Sequence, residues 1–273
     1  AASCGLSLVN YFLRFLRWHL MIAKMDHQLP FWRHCLFYIS GFALTTTPGK
    51  AGEAIRGVYM KQHDVAYSKT IAALFAERVS DLISMLLLGC LAFVHFGQYR
   101  IYGFIFAAVV IVTVILVQLP HIRDALRKRA HKLESEKMRT ILENAIKVFD
   151  EAARLLGFKF FTGGVILGVV AWGSEALALA LVVHWMGSDA PATVIYGIYA
   201  LAMLVGAASF LPGGLGGAEA SMALLLVAMG MSHPAATSAT VICRATTLWF
   251  AVLIGAVALL FLELRNTRAI KQV

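Results

Sequence analysis

Three arginines, four carboxylates and one lysine lie in or beside apolar segments that should carry few charges. They are Arg14, Arg78 and Arg244; Glu53, Asp81, Glu175 and Glu219; and Lys50. Guanidinium and ammonium groups in such a setting attract an anion or a carboxylate, because a stranded charge there costs several kcal/mol. The carboxylates can serve as counter-ions for the arginines, as cation or proton carriers, or as general bases.

The spacing of these groups carries more information than their types. In Pro212-Gly213-Gly214-Leu215-Gly216-Gly217-Ala218-Glu219, a Pro-Gly break interrupts an apolar run and ends on a carboxylate. Backbone exposed by such a break survives at membrane depth only where protein or water surrounds it. Thr47-Pro48-Gly49-Lys50-Ala51-Gly52-Glu53 repeats the order Pro, Gly, Gly, Glu. Glu53 precedes Arg78 by 25 residues, and Glu219 precedes Arg244 by 25. The remaining residues of the two stretches differ, so glycine breaks and charges alone carry the repeat. That is what a shared backbone architecture preserves.

Each candidate has a structural reading beside a functional one. Helices that begin just after the breaks present free N–H groups and favour anions, and Lys50 adds a full charge at one tip. Arg78 has Glu77 beside it and Asp81 one turn on, so an intrahelical ion pair is open to it. Arg244 has only threonines nearby, so its partner must be Glu219, Glu175 or an anionic ligand. Arg14 lies deep in the first apolar segment, one turn after Asn10, and is a cavity candidate. Arg17, nearer the segment's end, is as open to snorkelling toward an interface as to sharing the polar face with Arg14.

These groups sit in a chain of 273 residues with a mean hydropathy of +0.76, 60% hydrophobic and 14% charged. Soluble domains carry about 25% charged residues. The expectation is an all-α polytopic membrane protein forming one transmembrane domain over 1–273. The apolar runs are continuous, which excludes the alternation of an outer-membrane barrel. The net charge of +9 is then mostly cytoplasmic-loop charge. No nucleic-acid role is expected, since the basic stretch lacks interleaved aromatics. Four scattered cysteines and nine scattered histidines show no metal-ligand spacing, and zincin, GxSxG and P-loop signatures are absent. No cofactor and no metal is expected, and the chain is not read as an enzyme. It opens at Ala1 inside an apolar segment, so a preceding helix is expected.

Apolar runs predict spans at Ala2–Ala23, Thr70–Phe96, Ile101–Leu119, Phe160–Met186 and Ala235–Leu262. Broken pairs are predicted at Phe31–Thr47 with Lys50–Gln62, and at Ala192–Phe210 with Ala218–Met229. The residues 121–159 hold ten Lys/Arg against six Asp/Glu, with apolar residues from Met138 at helical spacing. This predicts a cytoplasmic amphipathic helix on a membrane face or packed on the bundle. With that segment and the basic C-terminus inside, the flanks of the first hairpin (Lys24, Arg33, Lys61, Lys69) fall inside. The flanks of the second, which carry no Lys or Arg, fall outside. Two inverted repeats follow, about 1–97 and 158–264, joined by the span at 101–119 and the cytoplasmic segment at 121–157. Each holds a broken or re-entrant hairpin, an architecture with sites at the midplane.

The combination Thr-Pro-Gly-Lys-x-Gly-Glu at 47–53, Glu-Arg-x-x-Asp at 77–81, Leu-Pro-Gly-Gly-Leu-Gly at 211–216, Glu219 and Arg244 resembles the lysylphosphatidylglycerol synthase transmembrane (flippase-like) family. The resemblance spans nearly the whole chain. It implies a stand-alone member in the cytoplasmic membrane of a prokaryote that moves an anionic phospholipid or lipid-linked head group between leaflets. The head group would meet Lys50, Glu53, Arg78, Asp81, Glu175, Gly213, Gly214, Glu219, Arg244 and Arg14. Two alternatives stay open. One is a membrane enzyme acting on a lipid head group, with Glu53 or Glu219 as general base. The other is a scaffold for a lipid-synthesis complex. Besides the lipid, the partners expected are further copies of the chain or a lipid-synthesis enzyme.

Overall fold

The structure, a computed structural model, describes residues 1–92 and 136–270 together with positions 101, 104, 105, 108 and 112. The expected span at 101–119 and residues 121–135 of the amphipathic segment therefore lie outside the described residues or almost so. Every regular element among the described residues is helical. In order they are α1 (Ala2–Lys24), α2 (Phe31–Ser40), α3 (Arg56–Lys61), α4 (Tyr67–Gly89), α5 (Glu136–Leu155), α6 (Phe158–Trp185), α7 (Ala192–Ala208), α8 (Gly217–Ala228), α9 (His233–Arg244) and α10 (Phe250–Ile270). Among the described residues, α6 and the run from His233 to Arg265 are long and apolar enough to cross a bilayer. The protein is an all-α membrane protein.

α1 and α6 lie side by side and antiparallel. Asn10 donates to the Ala171 carbonyl at 2.9 Å, and Ser174 to the Leu6 carbonyl at 3.0 Å. Further along, the Arg17 side chain packs beside Gly164. These cross-links satisfy polar groups that neither lipid nor an apolar neighbour could satisfy.

Both sequence breaks are real interruptions. After α2 the chain tightens into 3-10 turns at Gly41–Leu44 and Pro48–Ile55 before α3. After α7 it turns through Pro212–Gly214 and restarts at α8. Gly213, Gly214 and Gly216 all have positive φ, which an L side chain adopts only with strain. The two tips touch: a Cβ on Gly213 would lie 3.4 Å from the Thr46 methyl.

Each half lends its last helix to the other half's hairpin. α4 packs on α7, where a Cβ on Gly197 would stand 2.3 Å from the Ala92 nitrogen. α10 packs on α2 and the turn after it, where a Cβ on Gly255 would stand 2.2 Å from the Ala43 nitrogen. Only glycine admits such backbone approaches. One hydrophobic core gathers α6, α7, α8 and α9 around Met85 and Leu88, and the other gathers α1, α2 and α3 around Ala251.

The amphipathic helix packs on the bundle rather than lying free on a membrane face. α5 rests on α4, burying Ile146, Ala152 and Leu155, while Arg154 reaches Asp26 beyond α1 at 3.2 Å. The expected last span is not one regular helix. A π-helical turn, Ala245–Trp249, separates α9 from α10. Around it the Thr246 and Thr247 carbonyls accept hydrogen bonds from Ser7 and Tyr11 on α1. Such π-turns redirect the side chains around them and recur at functional sites.

Candidate functional site

A cavity of about 460 Å³ lies between the halves. Its polar wall is built by Arg14 of α1, Arg78 and Asp81 of α4, Glu175 of α6 and Arg244 of α9. Thr45 faces it beside the first tip, and Gly213 and Gly214 form the second tip. Trp172, Tyr199, Met85, Met203 and Leu248 supply much of the rest, so the space is apolar with a few convergent charges, as ligand pockets are.

The charges on the first half form one buried network. Glu77, fully buried, accepts from Tyr38 at 2.6 Å and from Arg56 and Arg14 at 3.1 and 3.5 Å, and lies 3.1 Å from Arg78. Arg17 donates to Asp81, which also lies 3.5 Å from Arg14 and 3.6 Å from Arg78. Glu53 accepts from Arg56 at 2.9 Å, from Arg78 at 3.3 Å and from Thr45 at 2.9 Å. The Arg56 guanidinium lies over the Tyr38 ring at 4.0 Å, and Gly41 leaves room for it, since a Cβ there would meet Arg56 Nε at 2.5 Å. Among the described residues four arginines thus meet three carboxylates, a surplus of one positive charge beside the cavity. The Arg78 side chain is 31% exposed, against 6% for Arg14, so it carries the network's charge toward the open space.

The second half is simpler. Arg244 donates through Nε to Glu219 at 2.6 Å and through a terminal nitrogen to the Gly213 carbonyl at 2.8 Å. The other Glu219 oxygen accepts from the Gly216 nitrogen at 2.6 Å, capping the first turn of α8. One arginine therefore clasps both ends of the broken segment. Glu175 accepts a hydrogen bond from Tyr199 across the cavity wall.

The structure thus brings Arg14, Arg78, Asp81, Glu175, Gly213, Gly214 and Arg244 around one space. Glu53 and Glu219 do not line it; they are counter-ions set behind Arg78 and Arg244. The side chain of Lys50 lies outside the described residues. Arg17 does not snorkel: it is 1% exposed and bound to Asp81, because α6 closes over it. Sequence reasoning passed over Arg56 and treated Glu77 only as a neighbour of Arg78. Arg56 sits in the second arm of the first hairpin, between Ile55 and Gly57, where nothing local names its partner, and Glu77 shows its centrality only when three helices converge on it.

The sequence profile described as the lysylphosphatidylglycerol synthase TM region matches residues 1–255. A UPF0104 membrane protein of Pyrococcus horikoshii is 22% identical over 249 residues, covering 82% of this chain and 74% of that protein. A UPF0104 membrane protein of Methanothermobacter thermautotrophicus is 24% identical over 237 residues, covering 79% and 70%. A second match in that organism is 37% identical over 92 residues, 34% of this chain and 28% of that protein. On that profile match, which takes in both hairpins and all five arginines of the site, the chain belongs to the lysylphosphatidylglycerol synthase TM-region family.

Proposed function

We propose that the protein moves an anionic phospholipid or lipid-linked head group across the cytoplasmic membrane of a prokaryote through the cavity between its halves. It does so as a transporter, without covalent chemistry. The observation that carries this reading is the convergence of Arg14, Arg78 and Arg244, from both halves, on one apolar-walled space of about 460 Å³. That volume is in the range of pockets that bury a drug-sized ligand, roughly 300–1,000 Å³, enough for a lipid head group. The head group sits there while the tails stay in lipid, where Phe210 and Leu211 are exposed beside the second tip.

The reading includes two inverted repeats with re-entrant hairpins. Three features support it: the antiparallel α1–α6 pair, the reciprocal seating of α4 and α10 on the opposite hairpins, and the contact of the two tips. Repeat-related halves around a midplane site can exchange outward and inward access by rocking. In this arrangement α5, the C-terminus and the flanks of the first hairpin face the cytoplasm, following the positive loop charge. Arg244 is a substrate contact whose second partner, Glu219, balances its charge and holds its guanidinium in place.

The test is a leaflet-resolved assay in proteoliposomes with head-group-varied fluorescent lipids. The reading expects anionic lipids to change leaflet faster than in protein-free vesicles, ahead of zwitterionic ones. Equal, background rates for every lipid would refute it.

A further inference from the structure

A second, smaller space lies outside the main cavity, in the groove where α1 and α6 run antiparallel. It measures about 360 Å³ and is lined by Arg17 and Leu20 of α1 and by Lys159, Phe160, Gly163 and Gly164 of α6. Its chemistry is uneven along its length. Lys159 stands exposed at the start of α6, on the same end of the bundle as Lys24 and Arg154. Leu20 and Gly163 are exposed along the flank, and Arg17 lies deeper, opposite Gly164. Arg17 Nε and Nη1 are buried without a hydrogen-bond partner, although Nη2 is held by Asp81. A Cβ on Gly163 would meet nothing within 4 Å, so the groove has open space beside this residue.

From this we infer that the α1–α6 groove is a binding site for one anionic phospholipid, taken from the surrounding leaflet, with its phosphate between Lys159 and Arg17 and its chains along Leu20 and Phe160. Charge complementarity selects the occupant. Two cations, one interfacial and one recessed, border a lipid-facing apolar slot with no acidic side chain in its lining among the described residues. Basic pockets between membrane helices hold acidic head groups in this way. The site is separate from the main cavity but linked to it: Asp81, the partner of Arg17, lines that cavity and pairs with Arg14 and Arg78. An anion at Arg17 weakens its hold on Asp81, so lipid in the groove bears on the charge balance of the cavity. The site does not depend on whether the main cavity transports anything.

The test is native mass spectrometry of the full chain in detergent, titrated with phosphatidylserine or phosphatidylcholine of the same chain length. The wild type should bind phosphatidylserine more tightly, by on the order of tenfold for two cations at an acidic head group. Lys159→Ala should reduce phosphatidylserine affinity about fivefold and leave phosphatidylcholine unchanged. Gly163→Leu, whose Cβ enters open space, should remove the groove's share of the preference. Arg244→Ala removes a main-cavity contact, so it should lower the overall preference but leave a part that Lys159→Ala and Gly163→Leu abolish. Equal binding of the two lipids by the wild type would overturn the site. So would an Arg244→Ala protein with no preference left, or one whose preference survives both groove changes; either puts the lipid in the main cavity. Should Gly163→Leu lower the melting temperature, Lys159→Ala on its exposed side chain decides the matter.

Discussion

Arg244 holds Glu219 at 2.6 Å across 25 residues of sequence, and in the other half Arg78 holds Glu53 at 3.3 Å across the same 25. Each pair ties a helix that follows a hairpin to the arm that leaves its tip. In the second half, among the described residues, the clasp is Arg244 alone. In the first, Arg56 and Arg14 reinforce it through Glu77. The second tip is therefore the more easily released of the two.

Removing the second clasp has a defined cost. Arg244→Ala strands Glu219 and frees the Gly213 carbonyl. Glu219 is 27% exposed and keeps the Gly216 N–H, so the loss should be about 1–3 kcal/mol, below the 3–5 expected for a fully buried pair. Adding Glu219→Gln should restore part of that stability. Thermal unfolding in detergent reads both; a double variant no more stable than Arg244→Ala would show that the pair does not couple.

Breaking the first network should cost more. Glu77→Ala leaves Arg56, Arg14 and Arg78 short of a shared, fully buried counter-ion. A destabilisation of at least about 3–5 kcal/mol is expected, seen as a collapse of the monodisperse fraction in size-exclusion chromatography. Glu53→Ala should be milder, because Arg56 and Arg78 retain Glu77.

Gly197 and Gly255 each admit a close backbone approach at one of the two interfaces between the halves, Gly197 from a hairpin arm and Gly255 from the closing helix. Valine at either should cost about 1–3 kcal/mol or more, since backbone atoms, not movable side-chain ends, stand in the way. Gly173→Ala, whose Cβ would meet only the Tyr196 ring at 4.0 Å, is the control and should melt like the wild type. A tolerant Gly255 beside a sensitive Gly197 would argue against equivalent interfaces.

The opposed orientation of the halves can be read directly. Single cysteines at Gln62, after α3, and Ser188, after α6, in a cysteine-free background should react with an impermeant maleimide from opposite sides of the membrane. Labelling from one side only would remove the inverted-repeat reading.

Much of this arrangement is written in local sequence. Proline and glycine fix where helices must stop, and the repeated 25-residue interval joins the two partners of each clasp. The positions of Arg14 and Arg244 inside apolar segments mark them as groups that need a partner. What local sequence does not carry is convergence. Arg17 stays open between snorkelling and burial until α6 covers it, and Arg56 is one charge among several in a hairpin arm until Tyr38 and Glu77 enclose it. The π-turn at 245–249 has no proline or glycine to announce it. It shows only in the Ser7 and Tyr11 hydroxyls that take up its carbonyls.

The most direct test of the central claim fills the cavity and watches lipid move. Leu248 lines the space and is only partly buried, so Leu248→Trp should fold while narrowing the site. In proteoliposomes containing an anionic fluorescent lipid, the wild type should expose that lipid to a membrane-impermeant quencher above the protein-free rate. Leu248→Trp, at wild-type melting temperature, should fall to background. Undiminished lipid movement in a folded Leu248→Trp protein would contradict passage through this cavity.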